Sequence, residues 1–253
     1  MPKYDLTKVD KKLVLSKKLL EISGLSYFGK GRLAAINDEE ALVYIIDGET
    51  GKIIDKVDFG KKRDYEGIAI AENNIYVIEG KGVIYKINKS EYNKKVQKYR
   101  LPFSVKNDME SLCYYAKKNI LLTACKEQTG YKTHEKSWRY IYSFDLSKEK
   151  ILKDIFLKIS EQEIGDFLGQ NMIGKFKPSG IAVSPIDNNI YIVSSVGKAL
   201  AIYSENLKFK AAFRLPRHLF AQPEGITFDE KGNLYISNEG RKERGNILVF
   251  ERR

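Results

Sequence analysis

The chain is poor in the residues that bind soft metals, with two cysteines and two histidines among 253 residues. His134 and His218 are far apart, and no Cys/His spacing suggests a zinc site. Cys113 and Cys125 lie on SLCYY and NILLTAC. A hairpin turning at Lys117 and Lys118 puts them several positions out of register, which argues against a disulfide. No apolar run approaches the roughly 20 residues of a membrane-spanning helix. The opening MPKYDLTKVDKK lacks the apolar core of a secretory signal. Either the protein is cytoplasmic or a leader has been removed from an exported one.

Charge of one sign is also short: 33 acidic against 44 basic residues, a net charge of +11. Such an excess raises the question of nucleic acid. The lysines, however, are spread through nearly every turn and strand, and the densest cluster is the four-residue RKER at Arg241 to Arg244. The pattern reads as a solvated basic surface rather than a dedicated phosphate-binding face.

What is present is a repeat. EISGLSY (Glu21–Tyr27), DYEGIAI (Asp64–Ile70), DMESLCY (Asp108–Tyr114), KPSGIAV (Lys177–Val183) and QPEGITF (Gln222–Phe228) are variants of one heptad of text. Their fourth residues, Gly24, Gly67, Ser111, Gly180 and Gly225, are spaced 43, 44, 69 and 45 apart. A period near 44 is in the range of propeller blades. The third unit carries roughly 25 extra residues between Glu127 and Phe176. Each motif is followed by an Asn/Gly-initiated apolar run such as NNIYVIEG, then by a third run and a fourth. Four strands repeated five times predict an all-β, five-bladed propeller of four-stranded blades over a single domain, residues 1–253. The last unit lacks its fourth strand. KKLVLS, just before the first motif, supplies it and closes the ring through the two chain ends.

In this arrangement the motif opens the innermost strand of each blade. The small residue after the turn suits close packing, and Gly suits a tight turn off the preceding loop. Neither explains the residue before the Gly position: Ser23, Glu66, Glu110, Ser179 and Glu224. Three carboxylates from separate blades are expected near one mouth of the axial channel. The returning second strands add Asn37, Asp38 and Glu39, then Glu79, then Asn238 and Glu239. Like charges about 5 Å apart cost on the order of 3 kcal/mol per pair at an effective dielectric near 20, so the cluster needs compensation. One reading is a hard cation, Ca²⁺, held by Glu66, Glu110 and Glu224, with Ser23 and Ser179 holding waters. A second is carboxylates bonded to loop amides or paired with a lysine, Lys126 being the candidate. A third is catalytic carboxylates without metal.

The ordered set EISGL, DYEGIA, PSGIAV with a nearby Ser-Pro, and QPEGIT followed by GNLYISNE resembles the SdiA-regulated family of bacterial proteins, over about Lys11 to Glu251. That family is distantly similar to NHL-repeat propellers. The resemblance implies a five-bladed propeller with a calcium site in its central region, on Glu66, Glu110 and Glu224, and an exported or membrane-anchored location, periplasmic or lipoprotein-like. The third copy reads MES where Gly is expected. No established activity comes with the resemblance.

Two functions follow. The first is a monomeric, calcium-braced binding module for a protein or small-molecule ligand, with Tyr131, His134, Trp138 and Arg139 of the long unit as candidate contacts. There SEQEIGDFLGQNMIG predicts a short amphipathic helix. The second is a calcium-dependent hydrolase of lactones or phosphoesters, with Glu79 or Glu239 as base. No catalytic residue is assigned, because no Ser-His-Asp set can be assembled.

Overall fold

The structure is a computed structural model and describes residues 3–90, 96–104, 106–127, 137–240 and 243–253. Tyr131, His134 and the first two residues of RKER lie outside the described residues. The first strand, β1 (Lys11–Val14), stands apart from the four-strand runs that follow. Blade 1 holds β2 (Ile22–Gly29), β3 (Arg32–Asn37), β4 (Leu42–Asp47) and β5 (Ile53–Asp58). Blade 2 holds β6 (Tyr65–Ala71), β7 (Asn74–Glu79), β8 (Val83–Asn88) and β9 (Gln97–Arg100). Blade 3 holds β10 (Met109–Tyr115), β11 (Ile120–Cys125) and β12 (Trp138–Asp145), with an outer strand broken into β13 (Lys150–Ile151) and β14 (Leu157–Ser160). The one α-helix among the described residues, α1 (Glu161–Leu168), follows directly. Blade 4 is β15 (Pro178–Val183), β16 (Ile190–Ser194), β17 (Ala199–Tyr203) and β18 (Phe209–Arg214). Blade 5 is β19 (Pro223–Phe228), β20 (Leu234–Asn238) and β21 (Asn246–Phe250), completed by β1.

The five sheets are the five blades of a propeller, each inner strand packed against the next and β19 against β2. The closure foreseen from KKLVLS is present: β1 runs antiparallel to β21, with Leu13 opposite Ile247. Five buried clusters fill the seams between neighbouring blades, one per seam. The cysteines are free and buried. Cys113 faces Leu122 and Cys125 faces Met109, as the out-of-register hairpin requires.

Two details depart from the sequence reading. The run ILKDIFLKI does not form one strand but two short pieces, both pairing with β12. The glycines of the repeat also have a different physical reason. None of Gly24, Gly67, Gly180 and Gly225 has a positive φ. Instead, a Cβ at Gly67 would stand 2.5 Å from Leu112 N, and one at Gly225 would stand 2.5 Å from Leu25 Cβ. Glycine is needed because adjacent blades approach too closely for a side chain, not because the chain turns there. Ser111, the exception, is buried at the same place in blade 3.

The basic surface follows from the same architecture. Every outer strand carries lysine: Lys11 and Lys12 in β1, Lys56 in β5, Lys98 in β9, Lys150 and Lys158 in β13 and β14, and Lys210 in β18. Charged edges oppose pairing of one propeller with another. In the third unit, Ser160 caps α1 by accepting a hydrogen bond from Glu163 N. Fully buried Glu161 accepts from Gly174 N at 2.7 Å and pairs with Arg139 at 3.0 Å. Arg139 therefore anchors the helix to β12 and is not the surface contact expected of it. Trp138 is half-buried against the core of the blade 2–blade 3 seam. Among the described residues no helix is long and apolar enough to cross a membrane.

Gly67→Ala places its methyl on the backbone of the neighbouring blade, which cannot yield. It is expected to cost about 1–3 kcal/mol in chemical denaturation, within the overpacking range. Gly60→Ala, where the nearest atom lies at 3.9 Å, is expected to be near neutral. Equal stabilities for the two variants would remove close blade approach as the reason for the repeated glycine.

Candidate metal or ligand centre at the channel mouth

Each inner strand begins with the same irregularity. The pairing between inner and second strand slips by one residue at Ile22/Gly24, Tyr65/Gly67, Met109/Ser111, Pro178/Gly180 and Pro223/Ile226. The extra residue is Ser23, Glu66, Glu110 or Ser179, and in blade 5 it falls within Glu224–Gly225. A bulge re-aims the side chain of its extra residue out of the strand's alternation. All five of these side chains line one narrow cavity at the channel axis, together with Leu25, Ile68, Leu112, Ile181 and Ile226 behind them.

The two serines tie the ring together. Ser23 Oγ donates to Tyr65 O at 2.7 Å and Ser179 Oγ to Pro223 O at 2.8 Å, each reaching the inner strand of the next blade. Their hydrogens are thus committed, and only the oxygen lone pairs remain to serve a water or an ion. Where the motif has Glu, this latch is missing and an acid occupies the channel.

Carboxylates do converge, with a membership that the repeat only partly foretold. Oxygens of Glu66, Asp108 and Glu110 lie within 4.8 Å of one another. Asp64 stands close by: a Cβ at Gly80 would be 2.7 Å from Asp64 Oδ2 and 3.7 Å from Asp108 Oδ1. Glu224 lines the same cavity from blade 5. The missed acids, Asp64 and Asp108, are the first residues of their motif copies, a position that holds Glu21 in the first copy, Lys177 in the fourth and Gln222 in the fifth. Acid at that position in three copies was the available signal. Asp108 adopts a left-handed conformation (φ 53°), which Asp tolerates better than most residues.

Lys126 reaches this group. The backbone N of Lys126 donates to Asp108 O at 2.8 Å, so β11 overruns its last pairing and carries the lysine inward. Its ammonium lies 2.6 Å from Glu110 Oε1 and 3.9 Å from Asp108 Oδ2. Burial alone would lower Lys126; the carboxylates of Glu110 and Glu224 outweigh it and hold the ammonium above the ordinary lysine value. The charge of Lys126 does not neutralise the group. Burial first, then Glu110 and Asp64, pushes Glu66 strongly upward. Burial raises Glu110 as well, with Glu224 and Asp108 adding to it and Lys126 opposing. Glu224 is pushed up to about 7 by burial, partly offset by Lys126 and by hydrogen bonds from Ser195 and Gln222.

The second-strand residues divide. Asn37 is turned to its own loop, donating to Lys18 O at 3.2 Å and accepting from Glu40 N at 2.8 Å. Buried Glu79 is held by Lys81 at 2.6 Å, Arg63 at 3.7 Å and the Tyr85 hydroxyl at 2.7 Å. Two cations and a phenol hold its carboxylate, which makes it a poor base. Asn238 is fully buried and donates to Asn246 Oδ1 at 3.2 Å. Asp38 and Glu239 face other acids. Burial, with Glu21 and Glu39, raises Asp38 to about 6, and burial, with Glu224 and Asp38, raises Glu239 to about 7. Glu239 also accepts a hydrogen bond from Gln222. The mouth of a basic protein is therefore acidic, as its sequence led one to expect.

Comparison with solved structures shows a similar fold in distant proteins. A glutaminyl cyclase of Myxococcus xanthus superposes with a TM-score of 0.65 at 10% identity, covering 96% of this chain and 95% of that one. A nidogen/laminin complex gives 0.55 at 12% identity, covering 86% and 72%. The β-propeller domain of Myceliophteria thermophila Cps50 (Swd1) gives 0.51 at 10% identity, covering 90% and 65%. At such identities the likeness is one of fold. No curated protein matches by sequence. The family model described as SdiA-regulated matches residues 2–241, nearly the whole length. Five motif copies, five blades and that match together place the chain in the SdiA-regulated family.

Proposed function

We propose that the protein is a binding module whose recognising end is the acidic channel mouth, and that calcium completes this end. The observation that carries the reading is the convergence of Glu66, Asp108 and Glu110 within 4.8 Å. Oxygens bound to calcium at roughly 2.3–2.6 Å stand up to about 5 Å apart across the ion. The donor set is all carboxylate, which suits a hard cation, and Glu224 is placed to add a further oxygen. When bound, the ion supplies positive charge that both braces blades 2 and 3 and polarises a ligand oxygen. Lys126 stands in for part of that charge when no ion is present, so it competes with the metal rather than assisting it. In this reading Asp108 joins the expected trio of Glu66, Glu110 and Glu224.

A second reading, a calcium-dependent hydrolase of lactones or phosphoesters, is favoured by one observation. Glu239 is pushed up to about 7, near the value suited to a general base at neutral pH. Glu79 is excluded from that role by its ion pairs. His218 is exposed in the loop after β18 and has no assigned part. The Myxococcus xanthus structure is a glutaminyl cyclase, so a glutaminyl cyclase assay belongs beside the lactones and phosphoesters. Metal-dependent turnover lost in Glu239→Gln supports the enzyme. Absence of turnover on all of these substrates leaves binding alone.

Calorimetric titration of chelator-treated protein with calcium is expected to show one saturable site, weakened at least about tenfold in Glu110→Gln, equivalent to about 1.4 kcal/mol. Identical heats for the two proteins would refute coordination. Lys126→Met is expected to tighten binding by about the same factor, by removing the competing ammonium; weaker binding would make Lys126 a support of the site.

The raised carboxyl groups also set a pH dependence. In the metal-free folded state Glu224 and Glu66 hold protons at a pH where the same groups ionise in the unfolded chain. The folded state then binds more protons, so stability falls as pH rises from the unfolded carboxylate value, near 4.5, through about 7. Melting temperature without calcium is expected to decline between about pH 5 and about pH 8, and Glu66→Gln to flatten the decline. A melting temperature that climbs over that interval would contradict the burial of these acids.

A further inference from the structure

A second cavity, of about 440 Å³, lies against the outer half of blade 4. Its size is within the range of small-molecule sites. Leu200 and Ile202 of β17 and Phe213 of β18 line it, Tyr4 and Leu6 of the N-terminal segment pack over it, and Phe167 of α1 contributes a ring that is 56% exposed. The lining is therefore mostly apolar and partly open to water.

Its polar groups are nearly all committed. The Tyr4 hydroxyl donates to Gly232 O at 2.6 Å. Asn189 Nδ2 donates to Asp187 at 2.7 Å, and Lys3 Nζ pairs with the same carboxylate at 2.5 Å. Lys210 differs. It lines the cavity, and it makes no side-chain hydrogen bond or ion pair with any described residue.

The backbone puts that lysine there. Tyr203 pairs with Phe209 and Ile202 with Ala211, so Lys210 is the extra residue of a bulge in β18. Both Lys210 and Ala211 line the cavity beside Phe213, instead of alternating across the strand as unbroken pairing would have them. The bulge itself does not call for a lysine. Blade 1 has the same irregularity between β4 and β5, where Ile46 pairs with Ile53 and Ile45 with Asp55, and the extra residue is Ile54.

We propose that this cavity binds a single-chain carboxylate of medium length, its alkyl body against Ile202, Phe213 and Phe167 and its carboxylate paired with Lys210. One uncommitted monovalent cation matches one monovalent head, whereas a phosphate dianion calls for more than one. The site is separate from the channel mouth and does not depend on calcium.

Sodium decanoate, kept below its micelle concentration, is the probe, with decanol as the uncharged control. Titration into calcium-loaded and calcium-free protein is expected to give the same saturable one-to-one binding. Lys210→Gln, an exposed position whose melting temperature serves as the folding control, is expected to weaken decanoate about tenfold and leave decanol unchanged. Ala211→Phe, which fills the cavity, is expected to abolish both. Absence of saturable decanoate binding, or equal affinities in wild type and Lys210→Gln, overturns the proposal. So does association seen only with phosphatidylglycerol vesicles, which would make the patch a membrane-contact surface instead.

Discussion

Everything particular to this propeller depends on how near its inner strands come to one another. A backbone N of one blade lies 2.5 Å from where the Cβ of Gly67 would be, so in blade 2 the ring closes with no room for a side chain at that level. The residue just before cannot point into the seam either. The one-residue slip in pairing turns it toward the axis, five times over. Packing thus forces five side chains into a common space, and their chemistry is left free to vary. Serine in that place hydrogen-bonds across to the next blade and tightens the ring. Glutamate in that place gives up the latch and contributes charge.

That division makes the ring asymmetric. The Ser positions are in blades 1 and 4; the Glu positions are in blades 2, 3 and 5. Blades 2 and 3 are neighbours, so their acids, with Asp64 and Asp108 from the preceding loops, crowd one side of the channel around Lys126. An uncompensated group of buried carboxylates opposes folding, and a structure keeps such a group only when protons, a cation or a ligand neutralises it. The acids at the mouth and the lysines on the blade edges are two halves of one electrostatic pattern: positive where sheets must not pair, negative where the inner strands converge.

Much of the architecture was legible because a propeller is a repeat, and each repeat writes its own strand boundaries. The period of about 44, the missing fourth strand of the last unit and the KKLVLS segment were enough to place the closure of β1 on β21. The outer strand of blade 3 reads as continuous in the sequence and is broken in the fold. Apolar residues on both sides of Lys153 and Asp154 hide an interruption that only the path of the chain reveals. Arg139 reads as a surface contact for a related reason. Its partner Glu161 is distant in sequence, and nothing in the local text shows that both charges are buried together.

By itself the sequence determined the five blades, the inner position of the motif and the presence of three acids at its variable place, because strand period and repeat length are properties of the chain read in order. Which acids actually meet was decided by tertiary structure alone. Distances between residues on different blades depend on ring geometry and on where a bulge falls. Those features drew Asp108 beside Glu66 and Glu110, left Glu224 outside that trio, set Lys126 among them, and bound Glu79 to Lys81 and Arg63.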